Sequence, residues 1–204
     1  MANDIRDMEN ITVIGAGLMG HGLAQIFAVH GYTVKLMDIK KELLDKAIEN
    51  VRSNLTLMSQ KGIGKADDIE PAIGRIQTTV DLKEAASGAQ FVVEAVLENL
   101  ELKQDIFKDL DAICSEDAIL ATNTSVISIT EIAEKAKNRE RILGTHFWNP
   151  PHLIPLVEVI RGKDTSDEAM DTAYGLLASC LWISSAARNC RAVSCLACLI
   201  TFSG

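Results

Sequence analysis

No block or stripe of basic residues occurs anywhere in the 204 residues, and the formal net charge is −8. Nothing in the chain is suited to neutralise a row of phosphates, so a nucleic-acid partner is not expected. No apolar run approaches the roughly 18 residues that a membrane-crossing helix needs, so no membrane partner is expected either. The opening MANDIRDMEN is acidic and lacks the apolar stretch of an export signal. The expected setting is the cytoplasm or an equivalent reducing compartment, where disulfides do not persist. Cys195 and Cys198 form a single CxxC with no second pair and no flanking histidine, so no metal site is expected. Internal repeats are lacking too.

From residue 172 onward there is no Asp, Glu or Lys, although the chain before it is rich in all three. Cys180, Cys190, Cys195 and Cys198 crowd this end, while Cys114 stands alone. The stretch LASCLWISSAARNCRAVSCLACLITFSG follows no clear helical or strand period. Two readings stay open: a buried C-terminal element, or a tail translated out of frame whose cysteines carry no function. The boundaries are accordingly set at 1–179 for one folded domain and 180–204 for an atypical tail.

What is present is a chain that is 48% hydrophobic, enough to bury a core. Short β-branched runs alternate with amphipathic stretches. ITVIG (11–15), TVKLMDI (33–39), RIQTTV (75–80), FVVEAV (91–96), AILATNT (118–124), ILGTHFW (142–148) and LVEVI (156–160) read as strands. Residues 18–30, 41–60, 100–114, 128–135 and 165 to about 179 read as helices. In LELKQDIFKDLDAIC the apolar Leu102, Ile106, Leu110 and Ile113 recur at the spacing of one helix face. Ser128 with Glu131, and Thr165 with Glu168, have the spacing of helix caps. Strands alternating with helices imply an α/β, doubly wound, mostly parallel sheet covered on both faces.

GAGLMG, residues 15–20, fits G-x-G-x-x-G and lies between the first strand and the first helix. Gly15 allows the tight turn, Gly17 lets backbone approach a pyrophosphate, and Gly20 lets helix and strand pack closely. The helix N-terminus then offers free N–H groups and partial positive charge. Asp38 closes the second strand, where a carboxylate takes the ribose hydroxyls and repels a 2′-phosphate. NAD is therefore the expected cofactor. His21 and His30 read as helix-surface residues, not ligands.

THFWNPPHLIPLVEVI, residues 145–160, puts a histidine in one apolar run and a glutamate in the next. A carboxylate in a buried strand is costly unless it is paired. Asn149-Pro150-Pro151 breaks the first run, because proline has no N–H to give a ladder. A chain folding back about His152 would bring His146 opposite Glu158. An imidazole held by a carboxylate has its tautomer fixed and its basicity raised, the equipment of a general base. His152, in the bend, is expected to be exposed to solvent.

Together GAGLMG with Asp38, VVEAVLENLELKQDIF, ATNTSVISITEIA and GTHFWNPPHLIPLVEVI resemble the NAD-binding domain of the 3-hydroxyacyl-CoA dehydrogenase family, over roughly residues 9–179. The resemblance implies a Rossmann-like fold and NAD-dependent oxidation of an (S)-3-hydroxyacyl-CoA in fatty acid β-oxidation. It implies that His146 is the base, Glu158 its orienting partner and Ser125 a donor to the substrate oxygen, with Asn149 positioning substrate and nicotinamide. Gly15, Ala16, Gly17, Leu18, Met19, Gly20, Asp38, Glu98, Lys103, Ser125 and Asn149 fall on its cofactor positions. Lys61 falls near a coenzyme A position, although the family serine seven residues earlier is Asn54 here. The family's all-helical C-terminal domain, which forms its homodimer, is not recognisable after about residue 179. Two alternatives follow: an NAD-binding module without turnover, or a dehydrogenase of smaller hydroxy acids such as gulonate or carnitine, toward which NPPHLIPLVE leans.

Overall fold

The computed structural model describes residues 8–154 and 156–180. Seven strands form one sheet in the order β3-β2-β1-β4-β5-β6-β7. They are β1 (Asn10–Ile14), β2 (Thr33–Met37), β3 (Ile76–Thr79), β4 (Phe91–Glu94), β5 (Ile119–Thr122), β6 (Ile142–Phe147) and β7 (Val157–Arg161). Every pairing from β3 to β6 is parallel, and only β7 runs antiparallel, against β6. The central strands are buried on both faces, which is why they read as unbroken apolar runs.

Helices cover the two faces. Phe27 of α1 (Gly20–Val29), Leu44 and Val51 of α2 (Lys41–Gln60), and Leu176 and Leu177 of α7 (Asp167–Cys180) share one core with Val13, Val93 and Leu143. Ala85 of α4 (Leu82–Ala86), Phe107 and Leu110 of α5 (Leu100–Ile113), and Ile132 of α6 (Ile129–Ile132) share the other with Ile14, Val92 and Leu120. The strand residues divide between the two cores with a period of two, as a pleated sheet requires. The chain winds from β1 outward to β3, then returns to start β4 beside β1. Strand order reverses at β1/β4, so a crevice opens beyond the carboxyl ends of those strands, where doubly wound folds bind ligands.

Several local expectations are corrected. The strand readings run one or two residues too far at their C-terminal ends, at 15, 38–39, 80, 95–96, 123–124 and 148. Gly15, Asp38, Ala95 and Asn123 still each donate one backbone N–H to the neighbouring strand, but the ladder stops there: Ile39 N–H donates to the Asp38 carboxylate and Val96 N–H to the Glu94 carboxylate. The buried face of α5 centres on Lys103, Gln104, Phe107 and Leu110, whereas Leu102 is exposed. Ser128 stands at the N-cap of α6 without a side-chain bond. Ser166, not Thr165, caps the last helix, accepting from Ala169 N–H at 3.1 Å. Thr165 instead donates to Ile142 O across the fold. Two short helices, α3 (Ile69–Gly74) and α4, went unforeseen. Helix α7 is described as far as Cys180, which is buried, and the rest of the atypical tail lies outside the described residues.

Candidate active site

Because β1, β4, β5 and β6 are parallel, the segments following all four emerge at one edge of the sheet. The segment after β1 is the glycine loop. Gly15 has φ +97°, and a Cβ there would meet Ala95 O at 2.7 Å. At Gly20 a Cβ would lie 1.7 Å from Gly15 O, so α1 can start directly on the turn only with glycine. Gly17 is different: a Cβ there meets nothing within 4 Å. Its backbone faces open space, the room a pyrophosphate needs. No acidic side chain stands in the first turn of α1 and no side chain caps it, which leaves its N–H groups available to an anion.

Asp38 follows β2. Its Oδ2 accepts from Ala16 N–H at 2.7 Å and its Oδ1 from Ile39 N–H at 2.7 Å. The carboxylate thus sits beside the glycine loop, at the position expected for ribose binding. Leu18 in the loop, Ile39 after β2 and Leu97 after β4 are exposed apolar side chains along this edge, and Met19 is half-buried against the core. The loop and Asp38 form a cradle that fits a dinucleotide.

His146 and Glu158 are register partners across β6 and β7. His146 Nδ1 lies 2.7 Å from Glu158 Oε2, and both side chains are about one-fifth exposed, at 24% and 19%. With Nδ1–H donated to the carboxylate, Nε2 keeps a lone pair. It lies 3.0 Å from Ser125 Oγ, on the loop after β5. The β6–β7 bend packs on the first turn of α1: a Cβ at Gly22 would meet Pro151 Cγ at 2.6 Å and His152 Nδ1 at 3.4 Å. The bend that joins the dyad's two strands therefore packs on the helix that follows the glycine loop. Asn149 lies exposed in that bend, with a cis bond to Pro150.

His152 corrects an expectation. It is half-buried, its Nδ1 is buried without a partner, and burial followed by the charge of His21 holds its pKa below the usual imidazole value. His21 is half-buried at the start of α1, with Nδ1 2.8 Å from Gly17 O, and His30 bonds Ile26 O in the same way. Lys61 is exposed at the C-cap of α2. Asn54, one face up that helix, donates to Gln25 Oε1 at 3.1 Å.

Glu98 and Lys103 occupy unlike places. Glu98 Oε1 accepts from the Thr124 hydroxyl, from Ser125 N–H at 3.0 Å and from Val126 N–H at 3.3 Å. Burial works to raise its pKa, but those bonds and the Lys103 charge outweigh it and hold the carboxyl below its usual value. The Lys103 side chain is wholly buried, with Nζ 2.8 and 2.9 Å from the two oxygens of Glu94 and 3.5 Å from Glu98 Oε2. It reaches the crevice only through Glu98. Glu94 and Asn123, whose Oδ1 accepts from Phe147 N–H at 2.9 Å, support the loops around the dyad and are not singled out by the sequence reading. The signal for Glu94 was available, since a carboxylate ending the apolar run FVVE needs a partner as much as Glu158 does.

Comparison with known proteins gives a consistent picture. The family profile described as 3-hydroxyacyl-CoA dehydrogenase, NAD binding domain, matches residues 10–181. A probable 3-hydroxyacyl-CoA dehydrogenase of Caenorhabditis elegans is 36% identical over 172 residues, covering 82% of this chain and 58% of that protein. A probable 3-hydroxybutyryl-CoA dehydrogenase of Bacillus subtilis is 40% identical over 162 residues, covering 79% and 56%. The crystal structure of 3-hydroxybutyryl-CoA dehydrogenase from Escherichia coli K12 superposes with a TM-score of 0.81 at 38% identity, covering 85% of this chain and 36% of that one. The chain thus spans little more than half the length of the two curated relatives.

Proposed function

The chain belongs to the 3-hydroxyacyl-CoA dehydrogenase family through its NAD-binding domain, and from that premise we propose that it seats NAD in the crevice between β1 and β4 and serves the oxidation of an (S)-3-hydroxyacyl-CoA to the 3-keto form. His146 Nε2 takes the proton of the C3 hydroxyl. Glu158, on the opposite ring nitrogen, stabilises the imidazolium that results. Ser125 Oγ, 3.0 Å from Nε2, stands where it can donate to the same substrate oxygen. Asn149, exposed in the bend against α1, orients substrate against the cofactor. Bound NAD supplies the hydride acceptor. The glycine loop holds its pyrophosphate and Asp38 its ribose. Lys61 meets the coenzyme A end.

One observation carries this reading: an imidazole held at 2.7 Å by a carboxylate and presented at 3.0 Å to a serine, at the same sheet edge as the glycine loop. The test is a turnover assay with acetoacetyl-CoA and NADH, run beside an NADH-binding titration of the same chain. Saturable binding with turnover is the expected result. Absence of NADH binding overturns the reading. The partial span of the relatives favours a second reading, an NAD-binding module that needs a further domain for turnover. Binding without turnover would select it. Turnover of gulonate or carnitine with none on CoA esters would reassign the substrate.

A further inference from the structure

Two wholly buried charges lie beneath the site and take no part in the reaction as derived. Glu94 ends the central strand β4 with a side chain that is 0% exposed, and Lys103 of α5 is likewise 0% exposed. Every hydrogen-bonding group here has a task. Glu94 Oε1 accepts from Val96 N–H at 2.7 Å, Oε2 from the Thr122 hydroxyl at 2.6 Å, and both from Lys103. Thr122 is the register partner of Glu94 on β5, so the carboxylate ties together the ends of two neighbouring strands. Lys103 then spans upward to Glu98, 3.5 Å away. Glu98 Oε1 gathers the Thr124 hydroxyl with the N–H groups of Ser125 and Val126, and Thr124 Oγ1 accepts from Ile127 N–H at 3.0 Å. Those residues are the loop that aims Ser125 Oγ at His146.

Stability alone is a poor account of such a pair. Burying two charges carries a large desolvation penalty, and apolar replacements of similar volume are often neutral or stabilising. What an apolar pair cannot do is restrain Glu98. That side chain is 37% exposed and faces the crevice, where without a cation beside it solvent would compete for its position. The loop from Thr124 to Ile127 would lose the anchor that sets its height.

We propose that Glu94 and Lys103 are positioning residues: the pair, anchored on β4 and β5, holds Glu98 and through it fixes the Ser125 loop against His146. The role rests on the dehydrogenase reading, since a position matters only for chemistry at His146.

The test uses the 204-residue chain with Lys103→Met, the neutral double variant Glu94→Gln with Lys103→Met, and Ser125→Ala as reference. Lys103→Met alone strands a buried carboxylate and is expected to lower the melting temperature; the double variant relieves this and is expected to melt near the wild type. The decisive readout is the titration of the His146 imidazole followed by NMR. A displaced His146 titration in the double variant, in the direction Ser125→Ala produces, supports the positioning role. A stable double variant with wild-type His146 behaviour overturns it. Should the double variant not fold, Glu98→Gln cuts the same link from above, and an unmoved His146 titration there overturns the proposal equally. Where the wild-type chain turns over substrate, the double variant is expected to lose roughly 10- to 10²-fold in kcat, the scale of a small misplacement at the reacting atoms. Lack of turnover in the wild type counts against the dehydrogenase reading and leaves the titration comparison standing, so the two failures are distinct.

Discussion

Glu158 holds His146 across the sheet's single antiparallel pairing among the described residues, Oε2 to Nδ1 at 2.7 Å, with the two residues exactly opposed in register. The bond leaves Nε2 as the one ring atom able to collect a proton, and it faces Ser125. The base role proposed for His146 makes demands that substitutions can check.

His146→Gln removes the proton acceptor while keeping a polar side chain, and a fall in kcat of at least about 10²-fold is expected. Glu158→Gln keeps an acceptor for Nδ1–H but removes the charge opposite the imidazolium, and roughly 10²- to 10⁴-fold is expected. Both should bind NADH as the wild type does, since neither lies in the glycine loop. Initial rates of NADH oxidation with acetoacetyl-CoA, beside NADH titrations, measure the two effects. A His146→Gln chain with near-normal turnover would take the base away from this residue.

Two glycines of the loop should respond in opposite ways to alanine. At Gly20 the new methyl would sit 1.7 Å from Gly15 O, so Gly20→Ala is expected to destabilise the fold by at least about 2 kcal/mol. At Gly17 it would meet no protein atom within 4 Å. Gly17→Ala is therefore expected to melt like the wild type, yet to weaken NADH binding at least about tenfold by filling the space the pyrophosphate needs. Thermal melts and binding titrations on both variants separate the outcomes. Unchanged NADH affinity in Gly17→Ala would place the cofactor elsewhere.

On the proposed reading, Asp38 governs the choice of dinucleotide. Its carboxylate beside the glycine loop would face a 2′-phosphate with like charge, so NADH should bind on the order of 10²-fold more tightly than NADPH. Asp38→Asn should narrow that ratio. Paired titrations with the two dinucleotides give the answer, and equal affinities in the wild type would contradict the assignment.

Acid should unfold the chain partly through Asp111. Arg141 Nη2 donates to its Oδ1 at 2.8 Å, and Lys137 N–H and Asn138 N–H donate to Oδ2 at 2.8 and 3.2 Å. Burial works to raise the Asp111 pKa, but these donors prevail and hold it below the ordinary value. The folded state therefore binds fewer protons than the unfolded state near pH 4, the ordinary aspartate value being about 3.9. The stabilisation is complete above that pH and is lost as pH falls through the lower folded value. Asp111→Asn leaves Arg141 buried without its counter-charge, so a loss of about 3–5 kcal/mol is expected at neutral pH, together with a shallower fall of melting temperature below pH 4. An acid slope equal to that of the wild type would relieve Asp111 of this part.

How much of this was legible in sequence depends on which residues spoke for themselves. The glycine loop did, because Gly15 and Gly20 are demanded by close backbone contacts and carry a fixed spacing. The dyad did, because a carboxylate in a buried strand needs a partner, and an assumed fold-back about His152 puts His146 opposite Glu158, the register found. The inward face of α5 did not. Lys103 and Gln104 are polar residues facing inward, satisfied by Glu94 and by Glu131 O, and satisfied polarity looks like solvent exposure in a one-dimensional pattern. Strand ends failed for the opposite reason: Ala95, Val96 and Trp148 are apolar like the strands before them, yet the ladder stops there, and Val96 N–H donates to the Glu94 carboxylate instead of to a neighbouring strand. Helices α3 and α4, with six and five residues, are too short to show a period.

The hairpin Ile142–Arg161 has one more consequence. The imidazole and its carboxylate are 12 residues apart, whereas Ser125 lies 21 from His146 and 27 from Glu98. Short loops close at little entropic cost, and contacts of low sequence separation form fastest. His146 and Glu158 thus meet through a local pairing within one hairpin, although its first strand also pairs with β5, while the approach of Ser125 depends on long-range topology.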